Sequence, residues 1–271
     1  MKKAADFRAS ARIALKGHWL TAVLTAFVAG LFGAASVSFT NSGQFSYSTS
    51  GSSDVNFPEN LNSFFAENTG IIIAIASILA LWAIASVILS GAVRLGYASF
   101  FLKLADGEKP RFSVLFSQFD RIWPGFCMNF FVNLFISLWS LLLFIPGLIK
   151  TYSYSITAFI MAERPEIGAR QAITESRYLM DGNKWRLFCL GLSFIGWGLL
   201  CVLPVVVTLP LCTFKFAFTE SFSAFIPMIP MTIITAIATL FLNVYQQTAI
   251  ADFYRSISGT GKKEEAEVIS E

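Results

Sequence analysis

Few residues in this chain are of a type that does chemistry, and their spacing limits what they can do. His18 is the only histidine, and it stands beside Trp19 where an apolar stretch begins. It reads as an interfacial polar residue. The sequence contains no HExxH, no GxxxxGK[ST] and no GxGxxG, so neither a zinc-binding helix nor a phosphate-cradling loop is visible. No two carboxylates share an apolar stretch, which leaves no intramembrane acid–base pair. Cys127, Cys189, Cys201 and Cys212 form no CxxC pair. Three lie inside apolar stretches and one just past one, as small packing residues do, and they suggest neither a disulfide framework nor a metal site. The expectation is a protein that is not an enzyme and holds no cofactor and no metal.

The charges nearest the apolar stretches are Arg94, Lys150 and Asp252. Charge at membrane depth is costly and often functional. Each lies near an expected helix end, where a long side chain can reach back to the interface. A sharper expectation pairs Arg94 with Asp252 at the inner ends of two hairpins. Pro146-Gly147 is the best candidate for a functional break, because unwound backbone in a membrane protein is tolerated where it lines a cavity. Its polar sequel, Lys150 to Ser155 with Tyr152, is expected near the outer leaflet. The alternative is a tight hairpin between two spans.

These residues need elements to carry them, and composition says which. Of 271 residues, 55% are hydrophobic and 14% charged, against about 25% charged in soluble domains. Mean hydropathy is +0.63. No Asp, Glu, Lys or Arg occurs between Lys16 and Asp54, Glu67 and Arg94, Arg121 and Lys150, Arg186 and Lys215, or Glu220 and Asp252. A spanning helix needs about 20 apolar residues, since the hydrocarbon core is about 30 Å thick. Each block can hold one. The predicted fold is all-α: a polytopic bundle of about six transmembrane helices at 19–37, 71–93, 123–145, 149–163, 185–207 and 225–250, in one membrane domain over 1–257. The fourth is the shortest, uncharged only from Thr151 to Ala162. Pro146-Gly147 is expected to end the third, and Pro227 and Pro230 to bend the sixth.

Between the spans lie amphipathic elements. Arg8, Arg12 and Lys16 recur every four residues in a predicted helix over 3–18, with Phe7, Ala11 and Ala14 on another face. Such a helix suits a membrane surface with cations toward anionic headgroups. A short interfacial helix is predicted at 112–121 and a second amphipathic helix at 165–184, started by Pro165 and capped by Gly182. The Ser-, Asn- and Gly-rich stretch 38–69 reads as an external polar loop, and 258–271 as a disordered charged tail. The first span is expected to be uncleaved, because the stretch before it reads as a helix and not as a signal peptide's short basic start. Lys and Arg are retained on the cytoplasmic side. With six crossings and both termini cytoplasmic, only Lys150 and Lys215 of the 20 basic residues fall outside. The small net charge of +3 does not point to nucleic acid.

Two places in the chain look alike. Arg12-Ile-Ala-Leu-Lys-Gly17-His-Trp19 leads into the first span and Arg177-Tyr-Leu-Met-Asp-Gly182-Asn-Lys-Trp185 into the fifth. Each is a basic helix followed by Gly and then Trp at a boundary. The two inward spans also end alike, in aromatic extensions at Tyr97-Ala-Ser-Phe-Phe and at Tyr245 through Phe253-Tyr254. This is the pattern of a parallel duplication of hairpins, or of convergence on one boundary chemistry.

The same residues resemble a family. Arg8, Ala11, Leu15, Lys16, Gly17 and Trp19 make up the start of the pattern. Ile145-Pro146-Gly147, Lys150, Tyr152 and Tyr154 come next. Then follow Pro165, Ala172-Ile173, Ser176, Met180, Gly182, Phe188 and Leu192 to Trp197, and finally Tyr245, Thr248, Ala251, Phe253 and Tyr254. The chain resembles the DUF975 family of uncharacterised bacterial integral membrane proteins, found mostly in Firmicutes. Val244 departs from the proline usual before the tyrosine, which implies a straighter inner end of the sixth span. The resemblance implies a multi-pass protein of the bacterial cell membrane and carries no catalytic residues. The expected function is non-catalytic, binding membrane lipids, a membrane-protein partner or a second copy of the chain. A transporter or export accessory for a peptide, lipid or small molecule is the alternative.

Overall fold

The computed structural model describes residues 4–33, 69–219 and 226–259. Among them every regular element is helical: α1 (Ala4–Ala14), α2 (Trp19–Leu31), α3 (Thr69–Ala105), α4 (Ile122–Leu142), α5 (Phe144–Tyr154), α6 (Thr157–Glu163), α7 (Ala169–Leu179), α8 (Lys184–Thr219) and α9 (Met228–Ser258). Short 3-10 turns at Phe112–Phe116 and Phe119–Arg121 precede α4, in place of the interfacial helix expected there. The chain is an all-α polytopic bundle. Thr69–Ala105, Phe112–Leu142, Lys184–Lys215 and Met228–Ser258 are long and apolar enough to cross a membrane, and α1 with α2 makes a fifth candidate bent by 103°. The expected external loop and the tail beyond Gly259 lie outside the described residues, as does the end of the first span.

The expected fourth span takes another form. It is two short helices, α5 and α6, meeting at Ser155-Ile156, and α6 buries Thr157 through Met161 in protein. The break before it falls at Leu143, whose extended backbone (φ −159°, ψ 136°) ends α4. Pro146-Gly147 therefore does not end the third span. It sits in the first turn of α5, where a proline lacks only an N–H that no carbonyl needs. Gly147 is required there for a different reason: a Cβ would stand 2.3 Å from Ser140 Oγ and 2.8 Å from its Cα. The fifth span continues past its expected end, through Pro204 and Pro210, to Thr219. The second amphipathic helix starts at Ala169 after an extended Gly168, not at Pro165.

Burial divides α3 and α9 along their length. In α3, residues 73–85 are exposed, while Ser90 to Val93 and Leu95 to Leu102 are buried. In α9 the buried part begins at Val244 and runs almost to Tyr254. A helix that is apolar all round suits lipid in one half and protein in the other. The buried halves are the aromatic extensions, so the protein core sits at one end of the bundle. There Phe7 of α1 meets Phe253 edge-on, with ring centroids 5.5 Å apart, and Tyr254 stacks on Phe159. The short residues Ala22, Thr25, Ala26 and Ala29 form the buried face of α2, at the helical spacing that permits close backbone approach.

The two look-alike turns have the same structure. Leu15, Lys16, His18 and Ala22 N–H groups bond to the carbonyls of Ala11, Ile13, Leu15 and His18. Met180, Asp181, Asn183 and Leu187 bond to Ser176, Tyr178, Met180 and Asn183, each position 165 residues after its counterpart. Gly17 and Gly182 both adopt a left-handed backbone (φ 87° and 77°), which an L side chain resists. The buried residues also correspond: Phe7, Ala11 and Leu15 before the first turn, Ala172, Ser176 and Met180 before the second.

Candidate functional site: a polar groove along α4

The groove is set by how closely α3 and α4 cross. A Cβ on Gly91 would lie 2.2 Å from the carbonyl carbon of Gly125, and one on Gly125 would lie 2.7 Å from that of Gly91. The two backbones are in contact, as small residues in membrane helices permit. Gly96 permits a like approach further along α3, where a Cβ would meet Leu115 O at 2.0 Å. That contact seats the 3-10 turn against α3.

Beside the crossing, Arg94 Nη1 donates to Asn129 Oδ1 at 2.7 Å, and Asn129 Nδ2 donates to Ser90 Oγ at 3.0 Å. Asn129 thus holds the guanidinium back at the level of Ser90, where α3 passes from buried to exposed. Arg94 takes Asn129 in place of the expected Asp252. An amide can accept a hydrogen bond but leaves the positive charge uncompensated. From Asn129 a polar stripe continues at four-residue spacing through Asn133 and Ser137, all facing a cleft of about 250 Å³ with Val87, Phe126, Phe130 and Leu134. Phe130, Asn133, Leu134 and Ser137 are exposed, so the cleft opens sideways onto the bundle's apolar surface.

A second cluster closes the core end. Arg255 Nε donates to Asp106 Oδ1 at 2.6 Å, and its two terminal nitrogens donate to Asp106 and Glu163. Tyr254 OH donates to the other oxygen of Glu163. One guanidinium thus ties the ends of α3, α6 and α9 through a fork that suits carboxylates. Nearby, Arg164 pairs with Glu175 of α7, and that hydrogen bond holds the guanidinium above its ordinary pKa. Among the described residues no three His, Cys, Asp or Glu side chains come together to hold a metal ion.

The remaining sequence candidates scatter. Trp19 opens α2 and packs on Phe241 at 5.8 Å. Lys150 Nζ lies 4.9 Å over the Trp139 ring. Tyr152 meets Phe188 edge-on at 5.7 Å, and Trp185 stacks on the same Phe188. Ser176 Oγ donates to the carbonyl of Ser153. The stretch after Pro146-Gly147 thus stands against α7 and the start of α8. The break between α5 and α6 lets its polar side turn onto α7. Tyr245 OH donates to the Arg8 carbonyl at 3.0 Å, pinning α1. Asp252 is half-buried on α9. Tyr97 OH donates to Asn243 Oδ1 across α3 and α9. Asn129, Asn133, Ser137, Asp106, Glu163 and Arg255 were not singled out from sequence. The four-residue spacing of the first three inside a charge-free block was a readable signal. The charged trio is separated by 57 and 92 residues and left none.

Fold and groove together define a helical membrane protein with a laterally open cleft in which three polar side chains stand among apolar ones. Residues 140–261 match the model of a family described as "Protein of unknown function (DUF975)", so the resemblance is shown over the second half of the chain; the Arg8–Trp19 pattern lies before the matched stretch. No curated protein matches the chain, and no solved structure does.

Proposed function

We propose that this chain is a non-catalytic multi-pass protein of the bacterial cell membrane, with both termini in the cytoplasm, that binds a lipid or a membrane partner. The observation that supports this reading most directly is the cleft along α4: Asn129, Asn133 and Ser137 line it among apolar side chains, Asn129 accepts from Arg94, and it opens toward the space lipids occupy. Ligand sites are concave and mostly apolar, with a few placed polar groups, and this cleft has that composition. The test is native mass spectrometry of the full chain released from nanodiscs of its own membrane lipids. A retained lipid or protein is expected, and its occupancy falls in Asn133→Leu. A chain that emerges bare from every nanodisc overturns the reading.

One observation favours a second reading, transport or export. The turns at Gly17 and Gly182 share one geometry at an offset of 165 residues, and transporters are often built from repeats with the site between them. Such a path would run among α2, α3, α8 and α9, whereas the cleft lies between α3 and α4. In a cysteine-free background, Ala26→Cys on the buried face of α2 tests it. Protection from water-borne thiol reagents supports the binding reading, and labelling supports transport.

A further inference from the structure

Between Arg121 and Thr157 the chain leaves the core end of the bundle and comes back to it. Arg121, at the start of α4, donates to the Met161 carbonyl at 2.8 Å. Thr157 to Met161 of α6 are themselves buried in the core. Only α4 and α5 lie between. Ser176 Oγ donates to the Ser153 carbonyl at 2.8 Å, and Tyr152 meets Phe188, on which Trp185 also stacks. The start of α8 belongs to the core end too, since the Arg186 guanidinium lies 5.7 Å from the centre of the Phe253 ring. The end of α5 and the start of α8 are therefore on one side of the membrane.

The outward leg is too short to cross. Asn129 of α4 is level with Ser90 of α3, to which it donates at 3.0 Å, and Ser90 is where α3 passes from exposed to buried. From Thr69 to Ser90, α3 runs about 30 Å at helical rise, the thickness of the hydrocarbon core. From Asn129 to Leu142, where α4 ends, the run is about 20 Å. Phe112–Leu142 has the length of a span, but its first part is spent against protein, with Leu115, Gly125 and Met128 buried. The tip beyond is apolar and exposed at Leu141, Leu142, Leu143 and Ile145. Leu143 N–H donates to the Trp139 carbonyl, and the Leu143 carbonyl accepts from Gly147 N–H. The residue that breaks the helix thus keeps its own backbone paired, as hydrocarbon demands.

The neck of this hairpin is cationic. Lys150 Nζ lies 4.9 Å over the Trp139 ring, and Arg177 and Lys184 stand within electrostatic reach of it. Neither Lys150 nor Arg177 makes an ion pair with any described residue. Lys184 has only Asp181, at 3.8 Å and with that carboxylate 85% exposed, a pair too exposed to neutralise the group. Tyr178 and Trp185 are exposed on the same segment, as aromatic residues at headgroup level are. Cations beside interfacial aromatics, next to a lipid-facing tip, complement an anionic headgroup.

We propose that α4 and α5 form a re-entrant hairpin seated in the leaflet nearest the core end, and that Lys150, Arg177 and Lys184 at its neck hold the phosphate of an anionic phospholipid of that leaflet. Withdrawing two crossings leaves every other segment on its expected side. Lys150 joins the cytoplasmic cations, and only Lys215 of the 20 basic residues stays on the far side, which strengthens the retention of Lys and Arg on one side. Occupancy of the α4 cleft is a separate question and has no bearing on the hairpin or its neck.

Accessibility tests the hairpin, in the full chain made cysteine-free. Lys150→Cys should be labelled by a membrane-impermeant maleimide from the same face of sealed vesicles as Tyr178→Cys, and from the face opposite to Lys215→Cys. Labelling from the Lys215→Cys face overturns the proposal. Should Lys150→Cys resist label from both faces, a bimane on Leu142→Cys decides. Quenching by lipids brominated in mid-chain supports the hairpin, and quenching by aqueous iodide from the Lys215→Cys face overturns it. Native mass spectrometry of the full chain, released from nanodiscs of equal phosphatidylglycerol and phosphatidylcholine, tests the neck. Preferential retention of phosphatidylglycerol is expected. It falls about five-fold in Lys150→Gln, as one cation near an anionic surface contributes, and is lost when Arg177→Gln and Lys184→Gln are added. Lys150→Arg keeps it, and so does Lys109→Gln, exposed on the loop after α3. Equal retention of the two lipids overturns the headgroup site, and so does a preference that survives all three substitutions. An equal fall in Lys109→Gln, or displacement of phosphatidylglycerol by inorganic phosphate, overturns it as well.

Discussion

Replacing Arg255 with glutamine should destabilise the core end of the bundle more than any other single charge removal. The side chains of Arg255, Asp106 and Glu163 are 16%, 17% and 22% exposed, so most of their hydration is already lost. Removing the guanidinium leaves two carboxylates facing each other, with only the Tyr254 hydroxyl still donating to Glu163. Breaking a buried pair by deleting one partner costs about 3–5 kcal/mol. The residual exposure lets water compensate part of this, and about 2–3 kcal/mol remains. At about 2–4 °C per kcal/mol for a chain of this size, the melting temperature falls by about 5–10 °C. The assay is tryptophan-monitored thermal unfolding of the purified protein at fixed detergent concentration. The decisive comparison is the triple variant Asp106→Asn, Glu163→Gln, Arg255→Gln. With no uncompensated charge left, it should regain more than half of the loss, because an unpaired buried charge is worse than none. A single variant that melts within about 1 °C of the parent refutes the reasoning. A triple variant no better than the single one refutes it equally.

Other perturbations follow from the packing. Gly91→Ala places a methyl 2.2 Å from the Gly125 backbone, so α3 and α4 must separate, and a loss of about 1–3 kcal/mol is expected in the same melting assay. Gly182→Ala meets no neighbour but forces a left-handed alanine, costing about 1 kcal/mol; equal losses at Gly17 and Gly182 would show that the two turns also match in energy. Tyr245→Phe removes the bond to the Arg8 carbonyl, and faster tryptic cleavage after Arg8 and Arg12 is the expected readout. For topology, Ser50→Cys should be labelled from outside intact cells and Gln171→Cys only after permeabilisation. Labelling of both from one side would overturn the proposed orientation.

The site was legible only in part, and the reason differs from residue to residue. Phe7, Ala11 and Ala14 were readable as one face because helical spacing is local, and the structure buries Phe7 and Ala11 of it. Gly17 and Gly182 were readable as matching turns because a left-handed cap favours glycine whatever surrounds it. Arg94 was visible as a charge beside an apolar block, and its partner was misassigned. Asn129 lies 35 residues away, and only the Gly91–Gly125 contact brings it within reach. Pro146-Gly147 was recognised as a break, but the break itself falls at the extended Leu143, and the pair lies in the first turn of the helix that follows.

Sequence alone determined that this protein belongs in a membrane. Charge-free blocks as long as a bilayer is thick have no stable soluble arrangement in a chain this short, and that follows from composition and length before any contact forms. It also determined the helical class, since each backbone group in hydrocarbon must be satisfied within its own segment. The tertiary structure decided how those helices divide between lipid and protein. The exposed end of α3 is its most apolar part, with a window of mean hydropathy 2.8 that is not buried at all, whereas the buried end carries Arg94 and Lys103. Hydropathy marks the stretch that suits lipid but does not say what covers the more polar end. That was decided by the neighbouring helices, which the Gly91–Gly125 contact and the Arg255 bridge to Asp106 and Glu163 hold in place.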